Sequence, residues 1–402
     1  MRILQALALA VMLGAWTSAL ASGPAHFATL YTFTDGSPVG LTQAQGALYG
    51  STDGPGLSGN CGSVFELQPP SERGGAWTET VLYTFSNPNP TDPCVPVGPP
   101  VVGTGGILYG VTAVGGAYYG GTLYELVPPT SPGLPWTPSV IYNFNLLPGA
   151  PYTGEPTGLI AGPGGSFYVT TTGLVLQFQP PVVTGGPWNV TTIYTLAGGP
   201  GGGEPLSLLV GPNGVLYGTT QAGGTAPAGG GTVFELIPPA TEGGSWTENV
   251  LYSFKGRYDG STPNAVILGP NGTLYGTTFG TTVGAPPGLG SVWQLTPPTT
   301  PGGSWTKTIL AYLGTLHQCG PDSPLILRNG NLYGATCANG SGFVYELQAP
   351  SAPGGAWTTI RLHDFTNGEA PSGPMVMEPD GIIYGGAGSW TTPEGVIYGL
   401  KP

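Results

Sequence analysis

Residues Ala265–Thr278 read AVILGPNGTLYGTT, a string that contains two strands and the turn between them. Ala265–Leu268 is a short apolar run, suited to a strand buried on both faces. Pro270-Asn271-Gly272 follows. Asn-Gly supplies the two positive φ angles that a type I′ hairpin turn requires. Leu274–Thr278 is the returning strand. Further out, a Gly-rich loop leads to Ser291–Leu295 as a third strand. Pro297-Pro298 ends it, because proline has no N–H for the ladder. Gly302-Gly303-Ser304-Trp305 then introduces a fourth strand that closes on Tyr312. The predicted unit is four-stranded.

That unit recurs. Leu274-Tyr275-Gly276 has counterparts centred on Tyr49, Tyr109, Tyr168, Tyr217, Tyr333 and Tyr384, at steps of 60, 59, 49, 58, 58 and 51 along the seven copies. The "GG-x-W" lead-in recurs at Trp77, Trp188, Trp246, Trp305 and Trp357, and in the altered form Gly-Leu-Pro-Trp at Trp136. A period of this length with several strands per copy predicts an all-β, seven-bladed β-propeller of four-stranded blades. The copies are out of phase with the chain ends. Residues 26–33 end in Tyr31-Thr-Phe33 and match a fourth strand (Tyr83-Thr-Phe85), while the chain finishes on a third-type strand, Val396–Leu400. The N-terminal strand is therefore expected to complete the last blade and close the ring. Closure also removes open sheet edges.

Composition agrees. The 402 residues include 73 Gly and 45 Pro, and only 7 % are charged, yet 10 % are aromatic, too many for a disordered chain. A net charge of −12 with eight Lys and Arg argues against nucleic acid and against an anionic membrane surface. Arg2, the apolar run Ile3–Trp16 and Ala19-Leu20-Ala21 read as a secretory signal over residues 1–21. The apolar run is short for a bilayer span. Residues 22–402 are expected to form one propeller domain. No other segment could cross a bilayer, and the expected product is a secreted or cell-surface monomer, with the periplasm as the alternative. The even set Cys61, Cys94, Cys319 and Cys337 suits disulfides in such a chain. On proximity, Cys61–Cys94 and Cys319–Cys337 are the expected pairs among three connectivities.

The strings LYGTT, GTVFEL, GGSWTE and VLYSF resemble the Gloeo/Verruco (GloVer) tandem repeats of exported bacterial proteins. GGGTVFELIPPATEGGSWTENVLYSF (Gly229–Phe254) carries the likeness throughout, and the pattern extends over nearly the whole mature chain. It is degraded at Tyr168 and Tyr384. The resemblance implies export and a repeat architecture, and little chemistry.

Few residues escape the repeat. His26, His317 and His363 are far apart in repeat phase, which disfavours a His-based metal site or triad. His363 replaces a repeat Tyr and is read as packing. Glu66, Glu125, Gln177, Glu235, Gln294 and Glu346 share one phase in the third strand. The Glu/Gln mixture reads as a structural hydrogen-bonding position. A second acidic series precedes each first strand: Asp35, Asp92, Glu155, Glu204, Asp259, Asp322 and Glu369. Turn capping is the plain explanation. The functional one is a carboxylate-rich channel mouth for a cationic ligand, with Ca²⁺ as the candidate ion, since hard cations want several oxygens. No other cofactor and no catalytic residue is expected. The function expected is a non-catalytic exported binding or surface-interaction module for a glycan or protein. The alternative is a carbohydrate-active lyase or hydrolase using acids at the channel mouth.

Overall fold

The computed structural model describes residues 25–402 except 35, 55–60, 73–74, 87–88, 132, 148–152, 184, 197, 226–228, 242, 280–289, 301, 314–319, 322, 337–341, 353, 367 and 390–393. The signal segment expected over 1–21 lies outside the described residues. Seven antiparallel four-stranded sheets form the ring of a seven-bladed β-propeller. In chain order the blades span residues 37–84, 94–145, 156–195, 203–253, 263–313 and 326–364, and the seventh takes 369–401 together with 26–33. The closing strand is the one anticipated. His26–Phe33 pairs antiparallel with Gly395–Lys401, from His26 opposite Lys401 to Phe33 opposite Gly395.

Local chemistry explains the strand pattern. Asn271 and Gly272 have φ of 56° and 74°, and the Thr273 N–H donates to the Pro270 carbonyl at 3.1 Å, so the first hairpin turns as its Asn-Gly predicts. The fourth strands hold a feature that alternation would not suggest. Val64 pairs with Tyr83 but Phe65 with Val81, which leaves Leu82 as an extra residue. This β-bulge turns both Leu82 and Tyr83 toward the same core, between blades 1 and 2, which is why the fourth strands read as apolar runs rather than alternating ones. The shift recurs in all seven blades.

The cores lie between blades. Each of seven apolar clusters takes residues from adjacent sheets, with Phe65, Phe234 and Trp293 fully buried. Each such side chain contributes about 1.5–3 kcal/mol on burial. Their placement accounts for the Gly of the Leu-Tyr-Gly motif. Gly218 pairs across the sheet with Phe234, and a Cβ on it would stand 2.4 Å from the ring's Cζ. Gly50, Gly110, Gly276, Gly334 and Gly385 face Phe65, Tyr124, Trp293, Tyr345 and Tyr398 in the same register. Blade 3 alone carries Val169 there, and its partner is Leu176 rather than an aromatic residue. Its rings occur two pairs further along, on the same face, where Phe167 faces Phe178 and the other blades pair aliphatic residues.

Candidate functional site

The central channel widens into a cavity of about 600 Å³ to which all seven blades contribute. Pro99, Leu159, Leu206, Ala265, Pro324 and Pro374 form much of its wall. None of its eighteen lining residues is ionisable. The first strands can approach so closely because their polar groups are bonded between blades. The Ser51 hydroxyl donates to the Gly98 carbonyl at 2.6 Å, Thr157 to Pro205 at 3.0 Å, and Ser372 to Pro38 at 2.5 Å. The Asn264 amide reaches the Pro321 carbonyl at 2.7 Å. Gln221 also lines the cavity, and its side chain makes no hydrogen bond to a described residue.

None of the described members of the acidic series lines that cavity. Asp35 and Asp322 lie outside the described residues. Of the remaining five, Asp92 accepts from both the backbone N–H and the side-chain amide of Asn89, at 3.0 and 3.2 Å, which closes its own turn. Asp259 is held by the Tyr252 hydroxyl at 2.7 Å, the Lys255 N–H at 2.8 Å and the Lys307 ammonium at 2.9 Å. Burial pushes the Asp259 carboxyl up, but these donors outweigh it and hold it below the ordinary value. Burial pulls Lys307 down despite its carboxylate partner; its side chain is only 4 % exposed. Glu155 and Glu204 are exposed, and Glu369 is partly buried. Among the described residues, no three His, Cys, Asp or Glu side chains come together as a metal site.

Cys61 and Cys94 form the expected disulfide, with Cα atoms 4.9 Å apart. Cys319, Cys337 and His317 lie outside the described residues. His363 stacks on Phe27 of the closing strand, with ring centroids 3.5 Å apart and planes 6° from parallel. Burial lowers its pKa, against the opposing charge of Asp364. The Glu/Gln position of the third strand bonds locally. Glu66 accepts from Tyr49 at 2.8 Å, Glu346 from Tyr333 at 2.9 Å, and Glu235 from Asn249 at 3.0 Å. Sequence reasoning missed the channel lining. Its signal was that the first strands carry charge only at or next to their ends, at Glu204, Arg328 and Glu369, and share little motif.

Residues 96–303, just over half of the chain, match the Gloeobacter/Verrucomicrobia repeat. The chain belongs to this repeat family. No curated protein matches it. Among solved structures, it is similar to the extracellular domain of BT3049 from B. thetaiotaomicron, at 13 % identity and a TM-score of 0.56, over 95 % of this chain and 42 % of that one. The extracellular domain of BT4673 from the same organism gives 12 % and 0.54, over 92 % and 39 %. YCF48 from Cyanidioschyzon merolae gives 12 % and 0.53, over 94 % and 99 %. The chain thus spans less than half the length of the two extracellular domains, and the likeness is one of fold. Among the described residues, no helix is long and apolar enough to cross a membrane.

Proposed function

We propose that this repeat propeller is an exported, non-catalytic binding module that takes an uncharged ligand in its central channel. The observation that carries the reading is the channel lining: about 600 Å³, apolar walls, a few amides and hydroxyls, and no ionisable side chain. That size and character suit a small ligand or the tip of a glycan. Proton-transfer chemistry needs a titratable group within hydrogen-bond reach, and a glycosidase needs two carboxyls about 5–10 Å apart. The lining contributes neither. The disulfide and the likeness to extracellular domains support export. N-terminal sequencing of the exported product is expected to begin at Ser22; a start at Met1 would remove the cleaved signal from the proposal.

The test is a glycan and small-molecule array on the wild type and on Ala265→Trp, whose indole fills the cavity. Channel ligands should weaken at least about tenfold in the variant, as expected when a buried contact surface is blocked. Hits that survive unchanged would move the site elsewhere, and turnover of any hit would make the protein an enzyme. The Ca²⁺ reading of the acidic connections rests on the exposed Glu155 and Glu204. A rise in melting temperature at millimolar Ca²⁺ would support it, and an unchanged melting temperature would retire it.

A further inference from the structure

A second recess lies on the opposite face of the ring, between blades 2 and 3. Its rim is made by the two first-hairpin turns, around residues 103–107 and 161–166, and by Pro180, Pro181, Gly185, Gly186 and Trp188. It encloses about 850 Å³. Other junctions set a repeat Trp against the preceding blade's Tyr, as Trp246 does with Tyr168 and Trp357 with Tyr275. Here a third ring joins them. Phe167, where the other six blades have Leu or Ile, lies 4.5 Å from Tyr109 and 5.5 Å from Trp188 between centroids, and the latter two are 5.9 Å apart.

The polar groups of this recess are also exceptional. Glu125 occupies the third-strand Glu/Gln position, directly across from Tyr109. Its counterparts Glu66 and Glu346 are bonded by tyrosine, but the partly buried Glu125 carboxylate accepts no hydrogen bond from any described residue. Burial, then the charge of Glu125, raises the Tyr109 hydroxyl, which stays a donor. The recess thus offers an acceptor and a donor beside an aromatic surface. On the same rim connection Val182 and Val183 are 102 % and 68 % exposed. The corresponding residues in blade 4 are Ala240 and Thr241. Two exposed valines at an open lip are apolar surface that water disfavours.

We propose that this recess is a saccharide-binding site, separate from the channel, in which a neutral sugar ring lies on Trp188 and shares its hydroxyls with Glu125 and Tyr109. A sugar has both an apolar face of C–H groups and a rim of hydroxyls that donate and accept. Magnitudes decide against a quaternary ammonium. An aromatic cage surrounds a cation, with ring centroids up to about 6 Å from it. Rings whose centroids are 4.5–5.9 Å apart pack on one another and leave no central space. Phe167 is only 3 % exposed and backs the partly buried rings of Tyr109 and Trp188, which make the platform.

The experiment uses the full disulfide-bonded chain, titrated separately with cellohexaose, chitohexaose, mannohexaose and choline chloride, followed by tryptophan emission and calorimetry. One hexasaccharide should bind saturably. Trp188→Ala should weaken it about tenfold or more, as for a central aromatic anchor. Glu125→Gln should weaken it several-fold, since a charge-assisted bond is exchanged for a neutral one. That second variant guards against misfolding of the first, because glutamine already stands at this position in Gln177 and Gln294. Trp246→Ala, at the next junction, and Ala265→Trp, in the channel, should leave the affinity unchanged. Absence of saturable binding by all three sugars, or sugar binding indifferent to both Trp188→Ala and Glu125→Gln, overturns the proposal. Choline binding that Trp188→Ala abolishes would assign the recess to a cation instead.

Discussion

In blade 4, Gly218 lies under the ring of Phe234, and Leu216 pairs with Leu236 two pairs away on the same face. In blade 3, Val169 lies under Leu176, and Phe167 pairs with Phe178. With Tyr168 and Tyr217 set aside, these paired strands hold two rings in blade 3 and one in blade 4. The difference is one of position as well as number. An aromatic residue beside the backbone needs a glycine opposite, and an aliphatic one permits a β-branched residue. The pair, rather than either residue, is the unit that packs. Moving the rings two pairs along also carries Phe167 to the recess between blades 2 and 3, so a packing variation in one blade coincides with a distinct surface.

Breaking the blade 4 pairing should have the largest effect. Gly218→Val puts side-chain atoms where Phe234 already stands, and overpacking of this kind costs about 3 kcal/mol at the upper end. Urea or guanidinium unfolding measures it. Blade 3 supplies the rescue. Gly218→Val with Phe234→Leu recreates the Val169–Leu176 pair, and the double-mutant cycle should return a favourable coupling of about 1–2 kcal/mol. Additive losses would mean that the two positions pack independently.

The reverse change in blade 3 should be milder. Val169→Gly removes a buried side chain and adds backbone freedom, together costing about 2 kcal/mol. Adding Leu176→Phe should recover only part of this, because Phe178 already occupies the neighbouring volume. Full recovery in that double variant, again by unfolding, would show that blade 3 tolerates both arrangements.

Much of this fold is legible in the sequence because seven copies repeat one hairpin grammar. Asn271-Gly272 announces its turn, and the phase of Tyr31-Thr-Phe33 announces closure of the ring. The bulge at Leu82 is not announced, since an apolar run such as Val81-Leu82-Tyr83 is equally compatible with a fully buried strand. The exchange of Gly-aromatic for Val-Leu in blade 3 is present in the sequence as a degraded motif. It acquires meaning only once register places Val169 opposite Leu176. The candidate sites were less legible still. Glu125 is indistinguishable by phase from Glu66, and only the hydrogen bonds separate them. The channel wall is assembled from single residues of seven blades, so no local string marks it.

The outer rim of blade 4 gives the smallest predicted effects, and they have opposite signs on its two sides. Toward blade 3, Tyr194 donates to Glu248 at 2.7 Å. Burial raises the Glu248 pKa, only partly opposed by that hydrogen bond. A carboxyl raised on folding contributes stability that is complete below its unfolded pKa, about 4.5, and is lost as pH rises through the raised value. Toward blade 5, Asp259 is lowered, so its contribution is complete above about 3.8 and is lost as pH falls through the depressed value. Glu248→Gln should therefore gain stability relative to wild type as pH rises from 4 toward 7. The wild-type advantage over Asp259→Asn should shrink as pH falls below about 3.8. Unfolding midpoints of the three proteins across pH 3–7 measure both slopes. Parallel curves would mean that neither carboxyl changes its proton affinity on folding. Slopes of the same sign would mean that Lys307 does not set the two junctions apart.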